Sequence, residues 1–207
     1  TNYNVPQGKG YKFTNPRIKL HGKKWILTVG IECENQAAEL TDKTMGIDLG
    51  VKDLAIVAYG NLKLRYRNIN KTKRIRNLER RKTRLQRAIN RKYRTNGNWE
   101  KTKNIEKLEA QLRKVCERIA NIRQNYLYQT THELTNLLPK EVIMEDLNVS
   151  GMMKNRYLSK AIGEQNFAEF VRQMQYKCEW LGIKFTQVDR FYPSSKKCSC
   201  CGEVKKD

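Results

Sequence analysis

Two carboxylates lie inside apolar segments of the sequence, where a freely solvated acid is not expected. Asp48 belongs to the segment Gly46-Ile-Asp-Leu-Gly50, and Glu145 belongs to Val142-Ile-Met-Glu-Asp-Leu-Asn148. Burying such a group costs free energy unless it is paired or bound to a metal ion. Mg²⁺ prefers carboxylate and water oxygens, and two such ions can hold the attacking and leaving oxygens of a phosphodiester. We therefore expect Asp48 and Glu145 to be catalytic acids that hold Mg²⁺ or Mn²⁺.

Two nearby acids are weaker candidates. Alternation along a strand places Ile143 and Glu145 on one face, so Asp146 points away from Glu145. We expect Asp146 to be a hydrogen-bonding residue at the strand end and not a metal ligand. Asp53 is expected to cap a turn.

The charge of the chain indicates what such an enzyme acts on. The sequence has 42 Lys and Arg against 21 Asp and Glu, for a net charge of +21. This excess destabilises the compact state unless a polyanion offsets it, which favours nucleic acid over an anionic membrane surface as the partner. No apolar run approaches the roughly 20 residues of a membrane span, and we expect no signal peptide. We expect a cytoplasmic protein with no membrane partner.

The strongest basic feature is a predicted helix from Lys71 to Arg94, which carries twelve basic residues against one acid, Glu79. An apolar stripe of Ile75, Leu78, Leu85 and Ile89 keeps helical spacing. We predict that this arm binds a nucleic-acid backbone. The predicted contacts are Lys73, Arg74, Arg76, Arg80, Arg81, Arg84, Arg87 and Arg91, together with Lys196 and Lys197 near the end of the sequence.

A second helical arm follows a break at Asn96-Gly97-Asn98. Its apolar residues alternate spacings of three and four, so they form one stripe, and the two arms predict an antiparallel helical hairpin. The alternative is a hairpin whose charges are merely solvated. That alternative explains the mixed charges of the second arm but not the first, because like charges at i,i+4 destabilise a helix. The stripe is Ile105, Leu108, Leu112, Val115, Ile119, Ile122 and Tyr126.

Strand and helix patterns around these arms predict a mixed sheet flanked by helices. A hairpin at residues 17–33 precedes a polar linker at 34–44. One helix, capped by Ser159, is expected to run from Lys160 to Trp180 and to stop at Gly182. Its apolar stripe is expected to pack in the core. Further strands are expected at 45–49, 54–59, 62–67, 141–145 and 183–188, with a turn at Gly60-Asn61.

Cysteine spacing near the end of the sequence indicates a metal knuckle. Cys198 and Cys201 form a C-x₂-C pair followed by Gly202, which is half of a tetrahedral zinc site. Cys200 lies between them and is expected to be a bystander. The other cysteines are scattered singly, which favours a reducing compartment over a disulfide framework.

The segment around Asp48 alone permits another interpretation, because it also looks like the first phosphate loop of ATPases of the actin and sugar-kinase type. That fold needs a second Asp-bearing strand and a Gly-rich nucleotide loop downstream, and neither is visible.

Taken together, four motifs resemble the transposon-encoded RNA-guided nucleases of the TnpB type, which are relatives of the type V CRISPR effectors. The motifs are Gly46-Ile-Asp-Leu-Gly-Val-Lys-Asp53, Ile143-Met-Glu-Asp-Leu-Asn-Val149, Ser159-Lys-Ala-Ile162, and Val188-Asp-Arg-Phe-Tyr-Pro-Ser-Ser195 running into Cys198–Gly202. They extend the resemblance over about residues 11–207.

The resemblance implies a RuvC-like nuclease of the RNase H fold, with Asp48 as the first catalytic acid and Glu145 as the second. It implies guide RNA and target DNA as partners, since the family reads its target by base pairing with a guide. Residues 1–40 would be the end of a wedge β-barrel and a linker. Residues 41–190 would be the nuclease domain, with the helical hairpin at about 70–138, and 191–207 the first half of a zinc-finger insertion that binds target nucleic acid.

The family's third acid follows a second Cys pair, and no residue of this sequence matches it. Asp189 and Asp207 do not fit its position. The sequence therefore supports two hypotheses, a metal-dependent RNA-guided DNA endonuclease and a nuclease-inactive relative that still binds RNA or DNA. With two of three acids and half a zinc site, residues 1–207 alone are expected not to cleave DNA.

Overall fold

The chain divides into two compact units, residues 1–36 and residues 37–207. The computed structural model describes residues 12–21, 24–32, 38–95, 100–189, 201 and 203. Among these, no helix is long and apolar enough to cross a membrane.

The first unit contains an antiparallel hairpin of β1 (Lys12–His21) and β2 (Lys24–Glu32). Both strands are longer than the sequence pattern predicted, because pairing continues past a register shift between Thr14 and Arg17, where Asn15 has a positive φ of 47°. Such a bulge lets one strand gain an unpaired residue without ending the ladder. The residues predicted to form its turn are only partly among those described.

The second unit is built on a five-stranded mixed sheet, as predicted. Three strands form an antiparallel meander, and two more lie parallel to its first strand, giving the order β5-β4-β3-β6-β7. Gly60, in the predicted turn of the meander, has a φ of 55°. The strands are β3 (Thr44–Leu49), β4 (Asp53–Tyr59), β5 (Leu62–Arg67), β6 (Glu141–Glu145) and β7 (Lys184–Val188).

One face of this sheet is buried under helices. Met45, Val57, Val142 and Met144 are at most 1% exposed, and they pack in one core with helical residues that include Phe170. Burial of each such side chain contributes about 1.5–3 kcal/mol to the free energy of unfolding. The helices are α1 (Lys73–Thr95), α2 (Lys103–Thr135), α3 (Val149–Met153), α4 (Ser159–Gln165) and α5 (Phe167–Leu181), with a 3-10 turn at Ile69–Lys71.

The two long helices form the antiparallel hairpin that the sequence predicted. Glu79 and Tyr93 of α1 contact Arg123 and Glu109 of α2, so residue numbers rise along one helix as they fall along the other. A second small core of Ile75, Val115 and Ile119 joins them. Every residue of the predicted stripe on α2 is buried or half-buried. The predicted break at residues 96–98 lies outside the described residues.

The predicted single helix from Lys160 to Trp180 is wrong. It is two helices, α4 and α5, separated by Asn166 in the left-handed conformation with φ 55° and ψ 47°. Ser159 does not cap α4, because its hydroxyl donates to the carbonyl of Arg156. The predicted stop at Gly182 is confirmed, since this residue ends α5 with a φ of 73°.

The left-handed Asn166 yields a stability prediction. Its side chain makes no capping hydrogen bond to α5, so Asn166→Gly should change the free energy of unfolding by less than about 1 kcal/mol. Asn166→Val should lose about 1–2 kcal/mol or more, because a β-branched residue is strained at this φ. Urea unfolding measures both, with Ala168→Val as a control at an exposed helical position. Equal stability of the Gly and Val variants would contradict the strain.

Candidate metal site and nucleic-acid surface

The pairing of β3 with β6 places the two predicted catalytic acids side by side. The parallel register runs from Thr44 opposite Glu141 to Ile47 opposite Met144, a constant offset of 97 residues (141 minus 44). The same offset puts Asp48 opposite Glu145 at the carboxyl ends of both strands. Neighbouring strands lie about 4.8 Å apart, so both side chains can reach one ion.

Both carboxylates lie on the sheet face turned away from the helical core. Ile47 and Met144, their neighbours in sequence, are buried in that core, whereas Asp48 is exposed and Glu145 is half-buried. Ile56, which pairs with Asp48 across the sheet, is 50% exposed. The described part of the chain therefore leaves this face open to a substrate.

The donor set of this acid pair fits a divalent cation. Neither Asp48 nor Glu145 forms an ion pair with another described residue. Mg²⁺ commonly binds proteins through one or two carboxylates and keeps several waters. Within the described ranges, no group of three or more His, Cys, Asp or Glu residues could hold a metal. The acid pair could supply two carboxylate ligands to such an ion.

The two weaker acidic candidates have other contacts. Asp53 is 8% exposed, and its carboxylate lies 2.8 Å from the guanidinium of Arg65. This hydrogen bond with Arg65 holds the pKa of Asp53 below its ordinary value. Asp53 thus forms an ion pair, whereas it was expected to cap a turn. Asp146 donates its backbone N–H to the carbonyl of Val188 at 3.1 Å, which is consistent with a strand-end role.

The eight basic residues predicted on the first arm all lie on α1 with exposed side chains. Lys82, which was not among them, is bound to Glu79 at 3.5 Å. Phosphate contacts need accessible cations, so α1 presents a surface that suits a nucleic-acid backbone. The eight residues are Lys73, Arg74, Arg76, Arg80, Arg81, Arg84, Arg87 and Arg91.

Two basic residues of β5, Arg65 and Lys63, lie on the same sheet face as the acid pair and were not predicted from the sequence. Arg65 pairs with Ile56 across the sheet, and Ile56 pairs with Asp48, so these three residues form one row. Lys63 lies on the same face, opposite Ala58. The alternation of basic residues along β5 was a visible signal, but their row could not be assigned without the register.

The predicted zinc knuckle is only partly described. Cys201 is an exposed free thiol, whereas Cys198, Cys200, Lys196, Lys197 and Asp207 lie outside the described residues. Asp189 follows β7 and is exposed. Cys178 is fully buried in the core, and burial raises the pKa of its thiol to about 12, which is typical of a packing residue.

Two family profiles match the sequence. The first, OrfB_IS605, is described as a probable transposase and matches residues 28–156. The second is the TNB domain of Cas12f1-like proteins, which matches residues 167–207. Together they include the segments that carry both acids, both long helices and the Cys pair.

Individual relatives and solved structures agree with these matches. A Streptomyces pristinaespiralis protein provisionally named as an RNA-guided DNA endonuclease is 30% identical over 88% of this chain and 42% of its own length. InsQ of Escherichia coli K12, which has the same provisional name, is 29% identical over 89% of this chain and 46% of its own. The chain thus spans less than half the length of these relatives. A cryo-EM structure of a Cas12f1–sgRNA–target DNA complex matches in fold, with a TM-score of 0.63 and 20% identity over 94% of this chain and 39% of that one.

Asp48 and Glu145 carry like charges on neighbouring strands, so a bound metal ion should change the free energy of unfolding. Like charges on directly opposed strand residues destabilise a sheet by about 0.2–1 kcal/mol. In EDTA, Asp48→Asn should therefore raise the free energy of unfolding by about that amount. With Mg²⁺ or Mn²⁺ the wild-type protein should gain stability through binding, and Asp48→Asn should gain less.

Denaturant unfolding with and without the ion measures this difference. Glu179→Gln, at an exposed position on α5, removes the same charge far from the pair in sequence and should respond to the ion as the wild type does. An equal response of all three proteins would contradict a metal site at Asp48 and Glu145.

Proposed function

The chain belongs to the OrfB_IS605 family of probable transposases and is of the TnpB type, and on this premise we propose that it carries the nuclease centre of an RNA-guided DNA endonuclease. The observation that carries the proposal is the placement of Asp48 beside Glu145 on an open sheet face. The provisional names of two relatives and the basic surface of α1 support the same function. Guide RNA and target DNA are the proposed partners.

We assign the second unit to a RuvC-like nuclease of the RNase H fold. Its mixed sheet, with two acids at the carboxyl ends of neighbouring parallel strands, supports this assignment. In open α/β sheets, ligands bind outside the carboxyl ends of the strands. We assign residues 1–40 to the end of a wedge β-barrel and 191–207 to a zinc-finger insertion that binds target nucleic acid.

In the proposed mechanism, Asp48 and Glu145 would hold Mg²⁺ or Mn²⁺ and place it on the open face. When bound, such ions polarise a phosphoryl oxygen and lower the pKa of a water molecule, which becomes the nucleophile. Hydrogen bonding between β3 and β6 fixes the positions of the two carboxylates relative to each other. The rigid core below leaves only the outer face for the phosphodiester.

The basic side chains supply affinity and orientation in this proposal. The eight cations of α1 neutralise backbone phosphates and so bind nucleic acid without reading its bases. Lys63 on β5 lies on the same face as the acids, and we propose that it contacts a backbone phosphate of the bound substrate. Cys198 and Cys201 are proposed as half of a structural zinc site, which would order the segment after β7.

A second candidate function is binding of RNA or DNA without cleavage. It is supported by the exposed basic residues of α1, which could bind phosphates without any contribution from Asp48 or Glu145. Binding would therefore persist in a protein that lacks nuclease activity.

Cleavage of a guide-matched plasmid by the full protein with its guide RNA tests the proposed function. Asp48→Ala and Glu145→Ala should each reduce the cleavage rate by at least about a thousandfold, because stabilisation of the transition state at the metal is lost. Affinity for the guide RNA should remain within about twofold, since neither acid contacts phosphate without the ion. Wild-type cleavage by either variant would contradict the assignment, and absence of cleavage by the wild type would favour the binding function.

A further inference from the structure

A cleft of about 450 Å³ lies between α1 and α4, on the second unit. We call it the α1–α4 cleft. Its lining contains four arginines of α1 and one lysine of α4, against two carboxylates, Glu79 and Glu164. The five cations are Arg76, Arg80, Arg84, Arg87 and Lys160.

The four arginines form one row along α1. At about 100° per residue they fall within an arc of about 80°, and at about 1.5 Å per residue they span about 17 Å of the helix axis. All four are exposed, and none pairs with an acid in the described part of the chain. A guanidinium can bind a phosphate through two parallel hydrogen bonds. A row of unpaired arginines on one side of a cleft therefore suits a chain of phosphates.

Both carboxylates in the cleft are paired with Arg123, a half-buried residue of α2. Arg123 of α2 lies 3.3 Å from Glu79 and 3.4 Å from Glu164, and its Nε donates to Asn70 at 2.7 Å. Lys160 lies 4.0 Å from Glu164. With Arg123 satisfying both acids, the floor does not repel an anion, and the row on α1 keeps its positive potential.

Hydrogen bonds connect residues next to the cleft to the loop that follows β3. Gln165 follows Glu164 and is 3% exposed, and its side-chain amide donates to the carbonyl of Gly50 at 2.9 Å. Gly50 lies two residues after Asp48. Lys71, just before α1, donates to the carbonyl of Lys52 at 3.0 Å. The chain segments that carry both walls of the cleft are therefore connected to the loop that begins two residues after Asp48.

We propose that the α1–α4 cleft binds the sugar–phosphate backbone of the DNA strand that is cut and guides it to Asp48 and Glu145. The proposal rests on the nuclease function above and adds the path of one strand. Lys114 and Arg118 of α2 line a separate groove. With Lys107, which is also exposed on α2, they provide a matched control with the same number of cations.

The first measurement is the salt dependence of binding to a fluorescent 20-nucleotide single-stranded DNA, made in EDTA so that no cleavage occurs. The cleft variant is Arg76→Gln, Arg84→Gln and Lys160→Gln together. Its log–log salt slope should fall in magnitude by about 2, at about 0.7 per lost phosphate contact on a single strand. The control, Lys107→Gln, Lys114→Gln and Arg118→Gln together, should keep the wild-type slope.

The second measurement is single-turnover cleavage of target DNA by the full protein with its guide RNA. The cleft variant should be slower by at least about tenfold, because a displaced strand reaches the acids in the wrong geometry. Its affinity for guide RNA should be unchanged. A charge-keeping variant, Arg76→Lys with Arg84→Lys, should retain the salt slope, which separates lost phosphate contacts from a folding defect.

Three results would overturn the proposal. These are an unchanged slope in the cleft variant, an equal loss in both triple variants, or a loss of affinity for guide RNA in place of DNA. If the wild type cuts no DNA, the proposed function fails, yet a slope that falls only in the cleft variant would still identify the cleft as a strand site.

Discussion

The parallel register between β3 and β6 is the constraint on which the candidate site depends. Strand side chains alternate between faces, so a slip of one residue would turn Asp48 or Glu145 into the core and expose Ile47 or Met144. Both apolar residues are at most 5% exposed, in a core shared with α2 and α5. The burial that stabilises the sheet therefore also fixes the two acids on the opposite face. Fold stability and the geometry of the acids are consequences of one pairing.

The helical hairpin stabilises a helix that carries many like charges. Repulsion along α1 opposes helix formation, and the small core around Ile75 and Ile119 offsets it by burying apolar surface against α2. Arg123 adds a polar connection, since it contacts Glu79 of α1 and Glu164 of α4. The basic surface is thereby fixed relative to the sheet.

Local pattern was enough to predict most elements, because strands and helices differ in hydrophobic period. The same alternation predicted the face of Glu145. The break at Asn166 was missed, because an asparagine in the left-handed conformation leaves the apolar spacing on either side intact. The five-residue helix α3 was missed because it is too short to have a period. The contacts of Arg123 could not be predicted either. Glu164 and Glu79 are 41 and 44 positions from Arg123 in the sequence, and only the tertiary fold brings them together.

The central claim is that Asp48 and Glu145 together hold a divalent ion on the open sheet face. Anomalous diffraction from crystals of the protein grown with Mn²⁺ locates that ion directly. The account predicts a peak about 2.1 Å from an oxygen of each carboxylate, at the carboxyl ends of β3 and β6. Crystals of Asp48→Asn should have a weaker peak or none. A bound ion that contacts neither Asp48 nor Glu145, or no peak at all with Mn²⁺ present, would contradict the claim.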